Sequence, residues 1–302
     1  YGLQGTNKLS GYTAPLYAIT NAFTGPSSTQ SPYVLPVASG VTTTSLLTVT
    51  DQVGSYNMVG IPDGLGAYDN NNGTFTLLMN HEITATAGVV RAHGSKGSFV
   101  SKWVINKSDL SVASGSDLIQ NIYTWNTSTN NFVLGTIAIS RLCSGDLPKS
   151  SAFYNAATGL GTQERIYMNG EETGAEGRAF GHIASGPNSG TSYQLPWLGR
   201  FSWENAVASP YMSDKTIVAG LDDGTGGQVY FYIGTKTASG TEIDKAGLNN
   251  GKPFGVKIPG FPIERVNSTT INNPPPAGTH FDLVDMGYVQ NSTGAALEAA
   301  SL

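Results

Sequence analysis

Six carboxylates, Glu82, Glu171, Glu172, Glu204, Asp222 and Asp223, stand at the ends of apolar, strand-like runs, and two of these ends place Asn ahead of the acid: Asn80-His81-Glu82 and Asn169-Gly170-Glu171-Glu172. The chain has 21 acidic residues in 302, so three such groupings stand out. A carboxylate at the end of an apolar run is costly to desolvate unless positive charge shares the site. Local Lys and Arg are too few to serve all six. Hard cations such as calcium, which take six to eight oxygens from carboxylates, amides and carbonyls, are the natural partners. One acidic pair alone reads as an ordinary solvated turn; three at strand ends are as well read as ligands.

The single cysteine lies in Ser140-Arg141-Leu142-Cys143-Ser144-Gly145-Asp146, again a strand end followed by a turn. It cannot form an intrachain disulfide. A free cysteine is ordinarily a small buried hydrophobe. Beside Arg141, however, its thiolate form is expected to be favoured, and a thiolate among carboxylates suits a transition metal. The four histidines, His81, His93, His182 and His280, lack zinc spacing, and His81 is expected to hydrogen-bond within the acidic cluster instead of ligating. Neither a Gly-x-Ser-x-Gly elbow nor a Gly-x-x-x-x-Gly-Lys-Ser/Thr loop occurs, which removes serine-hydrolase and P-loop chemistry.

The elements that must position these groups are strands. Short runs rich in Val, Ile, Thr, Phe and Tyr recur at 44–49, 74–79, 98–105, 132–139, 165–169, 215–220 and 228–234, bounded by Gly, Asn, Asp or Pro. No long 3.6-residue periodicity competes with them. Asn70-Asn71-Asn72-Gly73 predicts a hairpin turn, and 224–227 predicts another. The fold class is all-β. Sandwich, barrel and propeller all satisfy the pattern; the segments 73–82 and 164–172 form a loose repeat that would bring strand ends to one axis in a propeller. One domain spanning 1–302 is expected, with an extended N-terminal segment over 1–45 and a Pro-rich surface excursion over 267–279. A boundary near Asn267 is the alternative.

Composition narrows the class further. The 16 Lys and Arg against 21 Asp and Glu leave a formal net charge of −5, with no basic stripe for nucleic acid. Hydrophobic residues at 39% and aromatics at 10% disfavour disorder. With 38 Gly, 15 Pro and only 12% charged residues, the chain reads as turn-rich β structure. No window of 18 apolar residues predicts a transmembrane helix. The start at Tyr1 and the low-charge surface are those expected of a mature exported chain.

Taken in order, a set of motifs resembles the PhoX-type alkaline phosphatases: Gly60-Ile61-Pro62-Asp63-Gly64-Leu65-Gly66-Ala67-Tyr68, Met79-Asn80-His81-Glu82, Val90-Arg91-Ala92-His93-Gly94, Arg141-Leu142-Cys143-Ser144, Asn169-Gly170-Glu171-Glu172, Glu176-Gly177-Arg178, Phe201-Ser202-Trp203-Glu204-Asn205-Ala206 and Gly220-Leu221-Asp222-Asp223. The matches run over about 60–234. The resemblance implies a six-bladed β-propeller with ferric iron and calcium in its central channel, secretion to the periplasm or exterior, and hydrolysis of phosphate-ester small molecules. It implies Cys143 as a thiolate ligand to iron, and Glu82, Glu171, Glu172 and Glu204 as iron or calcium carboxylates. Asn80, Asn205, Asp222 and Asp223 are implied as calcium ligands or their support. Arg178 is expected either to stabilise phosphoryl oxygens, with Glu204 beside it in the catalytic set, or to be a structural bridge between loops.

In that family the chain continues, after a segment like Ala295-Ala296-Leu297-Glu298, into an Arg-Pro-Glu-Asp type motif. Leu302 ends the sequence before it, so the propeller is expected to be incomplete at the C-terminus. The leading functional expectation is a secreted metal-dependent phosphomonoester hydrolase. The alternative is an extracellular calcium-stabilised structural protein on a phosphatase-like propeller, self-associating through exposed strand edges and without activity. A related ester, such as a phosphodiester or a lactone, is the third.

Overall fold

The computed structural model describes residues 21–224, 226–261 and 275–300. A parallel pair, β1 (Ala22–Thr24) and β2 (Thr43–Ser45), and a small hairpin, β3 (Gln52–Val53) and β4 (Tyr56–Asn57), precede three larger sheets. Sheet one is the antiparallel meander β5 (Pro62–Asp69), β6 (Thr74–His81), β7 (Phe99–Asn106) and β8 (Val112–Asp117). Sheet two comprises β9 (Asn121–Asn126), β10 (Asn131–Gly135) and β11 (Leu142–Asp146). After the hairpin β12 (Tyr154–Asn155) and β13 (Leu160–Gly161) it adds β14 (Ile166–Glu171), β15 (Ala179–Ile183) and β16 (Thr191–Gln194), in the spatial order β10-β9-β16-β15-β14-β11. Sheet three follows chain order through β17 (Trp203–Ala208), β18 (Lys215–Asp222), β19 (Val229–Thr235), β20 (Lys252–Lys257) and β21 (Asp282–Asp285). Two short α-helices, α1 (Glu242–Lys245) and α2 (Gly294–Ala299), and two single 3-10 turns, Ser150–Ala152 and Pro196–Leu198, complete the regular structure of the described residues. Among the described residues no helix is long and apolar enough to cross a membrane.

Each large sheet contains a four-stranded antiparallel meander with its first strand at the edge: β5-β6-β7-β8, β11-β14-β15-β16 and β17-β18-β19-β20. The three edge strands meet, because β11 packs beside both β5 and β17. Apolar layers hold the meanders in this order. Leu78 and Val100 of sheet one pack on Leu142, Tyr167 and Phe180 of sheet two. Ile166 and Met168 of sheet two pack against the layer of Trp203, Val218, Tyr230 and Tyr232 in sheet three. The far face of sheet one carries Trp103 and Ile105, covered by Leu46, Leu47 and Tyr56 of the preceding segment. Burying one such side chain contributes about 1.5–3 kcal/mol.

The all-β expectation holds, and β6, β7, β14, β18 and β19 fall where the runs predict them. Asn71 and Gly73 take the positive φ values, 58° and 86°, that the first hairpin requires. Other expectations are corrected. The run at 132–139 is a strand only as far as Gly135, with Ile139 forming an isolated bridge to Gly97, and of 44–49 only the first residues join a strand, because β2 pairs with nothing but the three-residue β1. The six-bladed ring is not formed by the described residues, which make three large sheets that do not close. Of the N-terminal segment, 21–45 is described and carries β1 and β2; residues 1–20, and 267–274 of the Pro-rich stretch, lie outside the described residues.

Glycine makes the close approach of β5 and β11 possible. A Cβ on Gly64 would strike the backbone of Ser144 and Gly145, and one on Gly145 would strike the Tyr167 hydroxyl. Gly145→Ala is therefore expected to cost about 1–3 kcal/mol of stability in urea denaturation. Gly135→Ala, whose added atom finds its nearest neighbour at 4.0 Å, is expected to stay within about 0.5 kcal/mol of the parent.

Candidate metal centre

The same local device occurs in all three meanders. The ladder between first and second strand breaks register at Pro62/Leu65 in sheet one, Leu142/Gly145 in sheet two and Trp203/Asn205 in sheet three. A β-bulge re-aims the side chain that it leaves unpaired. The residues within these breaks are Asp63 and Gly64, Cys143 and Ser144, and Glu204; Asp63, Cys143 and Glu204 are the ones that carry a carboxylate or a thiol. Opposite each, the second strand ends and the next residue is acidic: Glu82 after β6, Glu172 after β14 and Asp223 after β18. Each of those three residues donates its backbone N–H to the carbonyl just ahead of the bulge: Glu82 to Ile61 at 2.9 Å, Glu172 to Arg141 at 3.0 Å and Asp223 to Ser202 at 2.8 Å. Each meander thus delivers two acidic or thiol side chains to its inner edge.

Because the inner edges meet, the side chains converge. One ligand atom from each of Glu82, Cys143 and Glu172 lies within 4.8 Å of the others, and the same holds for Glu172, Glu204 and Asp223. Glu172 belongs to both sets. The Cys143 Sγ lies 3.6 Å from Glu204 Oε2, which closes the group across sheets two and three. Arg141 caps it: Nη2 is 2.9 Å from Glu82 Oε1 and 2.7 Å from Glu172 Oε2, and Nε donates to Glu82 Oε1 at 3.0 Å.

A buried polar framework fixes the bulge that carries Cys143. Asn80, fully buried, donates through Nδ2 to the carbonyls of Cys143 at 3.0 Å and Ser144 at 2.9 Å. Its Oδ1 accepts from Tyr167 Oη and from Asn169 Nδ2, both at 3.0 Å. Tyr167 Oη also lies 2.8 Å from the Gly64 carbonyl, and Asn169 Oδ1 is bonded to His182 Nε2 at 2.9 Å. The two Asn residues of the loose sequence repeat thus bond each other where sheets one and two meet. Ser144 Oγ donates to the Glu204 carbonyl, tying β11 to β17.

Charge in the cluster is unbalanced: five carboxylates, Asp63, Glu82, Glu172, Glu204 and Asp223, face one guanidinium. Burial pushes the Cys143 thiol above its ordinary range, and the charges of Asp63, Glu204, Glu172 and Glu82 push it further. This corrects the expectation of a thiolate favoured by Arg141, whose guanidinium is turned to the two glutamates instead. Asp63 is raised by burial and by Glu204 and Glu172, although the Gly64 N–H and a hydrogen bond with Glu82 oppose the rise. For Arg141, burial disfavours the charge, but Glu172 and Glu82 outweigh it and raise its pKa.

Of the residues expected at the site, Cys143, Glu82, Glu172, Glu204 and Asp223 come together. Glu171 and Arg178 do not join them. Glu171, buried at the end of β14, accepts from Arg178 Nε at 2.5 Å and Nη2 at 2.7 Å and from the Ser140 N–H at 2.9 Å. Arg178 is committed to that pair and to the Ala138 carbonyl at 3.1 Å. Asn80 is framework, with both ends of its amide in use. Asp222 accepts from the Gly224 N–H at 2.8 Å within its turn, and burial raises its carboxyl. Asn205 follows the sheet-three bulge and pairs with Leu221. His81 is also corrected: it points to the other face of β6, between the Val59 carbonyl at 2.9 Å and Ser101 Oγ at 2.8 Å, stacked on Phe99. Asp63 is the member that sequence reasoning missed. Pro62-Asp63-Gly64 reads as a turn, and only its place in the Gly60–Tyr68 motif marks it.

No family model and no curated protein sequence matches the chain. Among solved structures it is similar to Pseudomonas fluorescens PhoX in complex with vanadate, a transition-state analogue, at 13% identity and a TM-score of 0.44. The match covers 65% of this chain and 45% of that one, so the chain spans less than half the length of the structure it matches. A likeness at this level establishes neither a shared family nor a shared activity.

Two outcomes test the geometry. In chelator-treated protein, alkylation of Cys143 by iodoacetamide is expected to stay slow through pH 9, and Glu204→Gln to accelerate it severalfold. Burial holds the imidazoles of His81 and His182 neutral down to about pH 4 and about pH 3, whereas unfolded histidine takes a proton near 6.5. The unfolded chain therefore binds more protons between those values, and stability is lost as pH falls from 6.5 towards 4. Urea midpoints should fall across that window, and fall less in His182→Gln.

Proposed function

We propose that the cluster holds metal ions and that the chain is the site-bearing part of a phosphomonoester hydrolase of the alkaline-phosphatase kind. The observation that carries this reading is the pair of donor sets sharing Glu172, one with a thiol and two carboxylates, the other with carboxylates alone. The donor chemistry fits the implied ions. Thiolate with carboxylate suits a transition metal such as iron, and an all-oxygen set suits calcium. Glu82, Cys143 and Glu172 would hold the first; Glu172, Glu204 and Asp223 would hold the second; Asp63 adds a carboxylate beside both. Bound ions would supply neutralisation of a phosphoryl dianion and a nucleophile at neutral pH.

The chain's own residues have distinct tasks in this reading. Glu172 couples the two sets, so that a change at one is felt at the other. Asn80, Tyr167 and Asn169 hold the Cys143 bulge rigid, which keeps the donor atoms in place without reorganisation. Arg141 is the guanidinium at the cluster, and the expected catalytic role of Arg178 passes to it. Glu204, expected to be both ligand and catalytic residue, belongs to both the calcium set and the wall beside the thiol. The three meanders are read as consecutive blades of one propeller-type domain, and the composition as that of an exported protein.

A second reading, a calcium-stabilised structural protein without activity, is favoured by the exposed apolar side chains Val207, Val229 and Leu283 on one face of sheet three. Elemental analysis with an aryl-phosphate assay separates the two. Iron and calcium are expected in the purified protein, with turnover lost on chelation. Glu172→Gln is expected to lose both ions, and Cys143→Ser to lose iron while keeping calcium. Calcium alone without turnover supports the structural reading; no bound metal contradicts both.

A further inference from the structure

Arg141 takes a left-handed backbone conformation, φ 48°, immediately before β11. Ile61 takes the same conformation, φ 41°, immediately before β5, and its carbonyl accepts from Glu82 as that of Arg141 accepts from Glu172. Ser202 holds the corresponding place before β17. The backbone task at this position is therefore met by Ile and by Ser, and it does not call for a guanidinium. What distinguishes Arg141 is where its side chain goes: a single nitrogen, Nη2, touches Glu82 and Glu172 together. Those are the two carboxylates that form a donor set with Cys143.

We propose that Arg141 is a built-in counter-ion that a metal must displace from Glu82 and Glu172, and that the guanidinium so released contacts the anionic group of the substrate. The proposal rests on the reading of the cluster as a metal site. A carboxylate oxygen cannot serve a guanidinium and a metal ion in full at once, so the two cations compete. The side chain can leave, since 43% of it is exposed. It cannot go far, since its base is pinned by the Arg141 N–H to the Ile83 carbonyl at 3.0 Å and by its own carbonyl to the Glu172 N–H. A freed guanidinium at the mouth of a cation cluster presents a planar fork that matches a phosphate-like dianion. Arg178, engaged with Glu171, is not free to play that part.

The test uses the chelator-stripped protein titrated with cobalt(II), whose thiolate charge-transfer absorption reports occupancy at Cys143. Arg141→Gln is expected to bind cobalt about fivefold more tightly than the parent, the scale set by two partly exposed ion pairs, while its stripped form melts at a lower temperature. Inorganic phosphate, titrated into the metal-loaded proteins, is expected to bind at least tenfold more weakly to Arg141→Gln. Arg141→Lys keeps the charge without the fork; it serves as the folded reference, with cobalt affinity near the parent's and phosphate affinity severalfold reduced. Unchanged or weaker cobalt binding by Arg141→Gln overturns the displacement, and phosphate binding that both variants leave unchanged overturns the anion contact. Failure of the parent itself to bind cobalt removes the metal reading and this proposal together.

Discussion

Five carboxylates and a thiol are held together against one guanidinium, and the rest of the structure is arranged around that imbalance. Like charges at such spacings repel, and half-buried ones lose part of the hydration that would screen them. The thiol records the result, pushed up by burial and by the four carboxylates around it. A chain that only had to fold would gain by dispersing these groups to the surface. Their confinement is the observation on which the proposed metal reading rests.

The confinement is achieved by one device used three times. In each meander a bulge in the first strand turns one side chain inward, and the residue just past the second strand turns in another, locked by a backbone hydrogen bond to the carbonyl ahead of the bulge. Packing the meanders edge to edge then brings three pairs to one place. The glycines at Gly64 and Gly145 allow the strands to approach, and the buried Asn80, Tyr167 and Asn169 network sets the depth of the Cys143 bulge. Fold and cluster are thus the same construction: losing a bulge would move one of the converging side chains before it loosened a core.

Much of this was legible in the sequence. Strand ends carrying Asn and Glu, a solitary Cys and turn residues between them pointed to β structure and to five of the six converging groups, although Cys143, expected in a turn past a strand end, lies inside β11. The remainder was hidden for physical reasons. Adjacent glutamates cannot be told apart by type; register alone sends Glu171 to Arg178 as the last ladder residue and leaves Glu172 to the cluster. Period-two alternation puts His81 on the opposite face from Asn80, which the simple adjacency of Asn80-His81-Glu82 conceals. Asp63 was masked by Pro and Gly neighbours that look like a turn, because β5 is a strand through its pairing with β6 and not through propensity. Arg141 and Arg178 differ only in which carboxylate each reaches, a matter of tertiary contact.

The central claim is that multivalent cations complete this cluster, and anomalous diffraction from crystals of the protein tests it most directly. The account predicts anomalous peaks within the cluster, one at metal–sulfur bonding distance, about 2.3 Å, from Cys143 Sγ, and a second metal sharing Glu172. A map with no peak there, from crystals grown with iron and calcium supplied and with Arg141 still bridging Glu82 and Glu172, would contradict it.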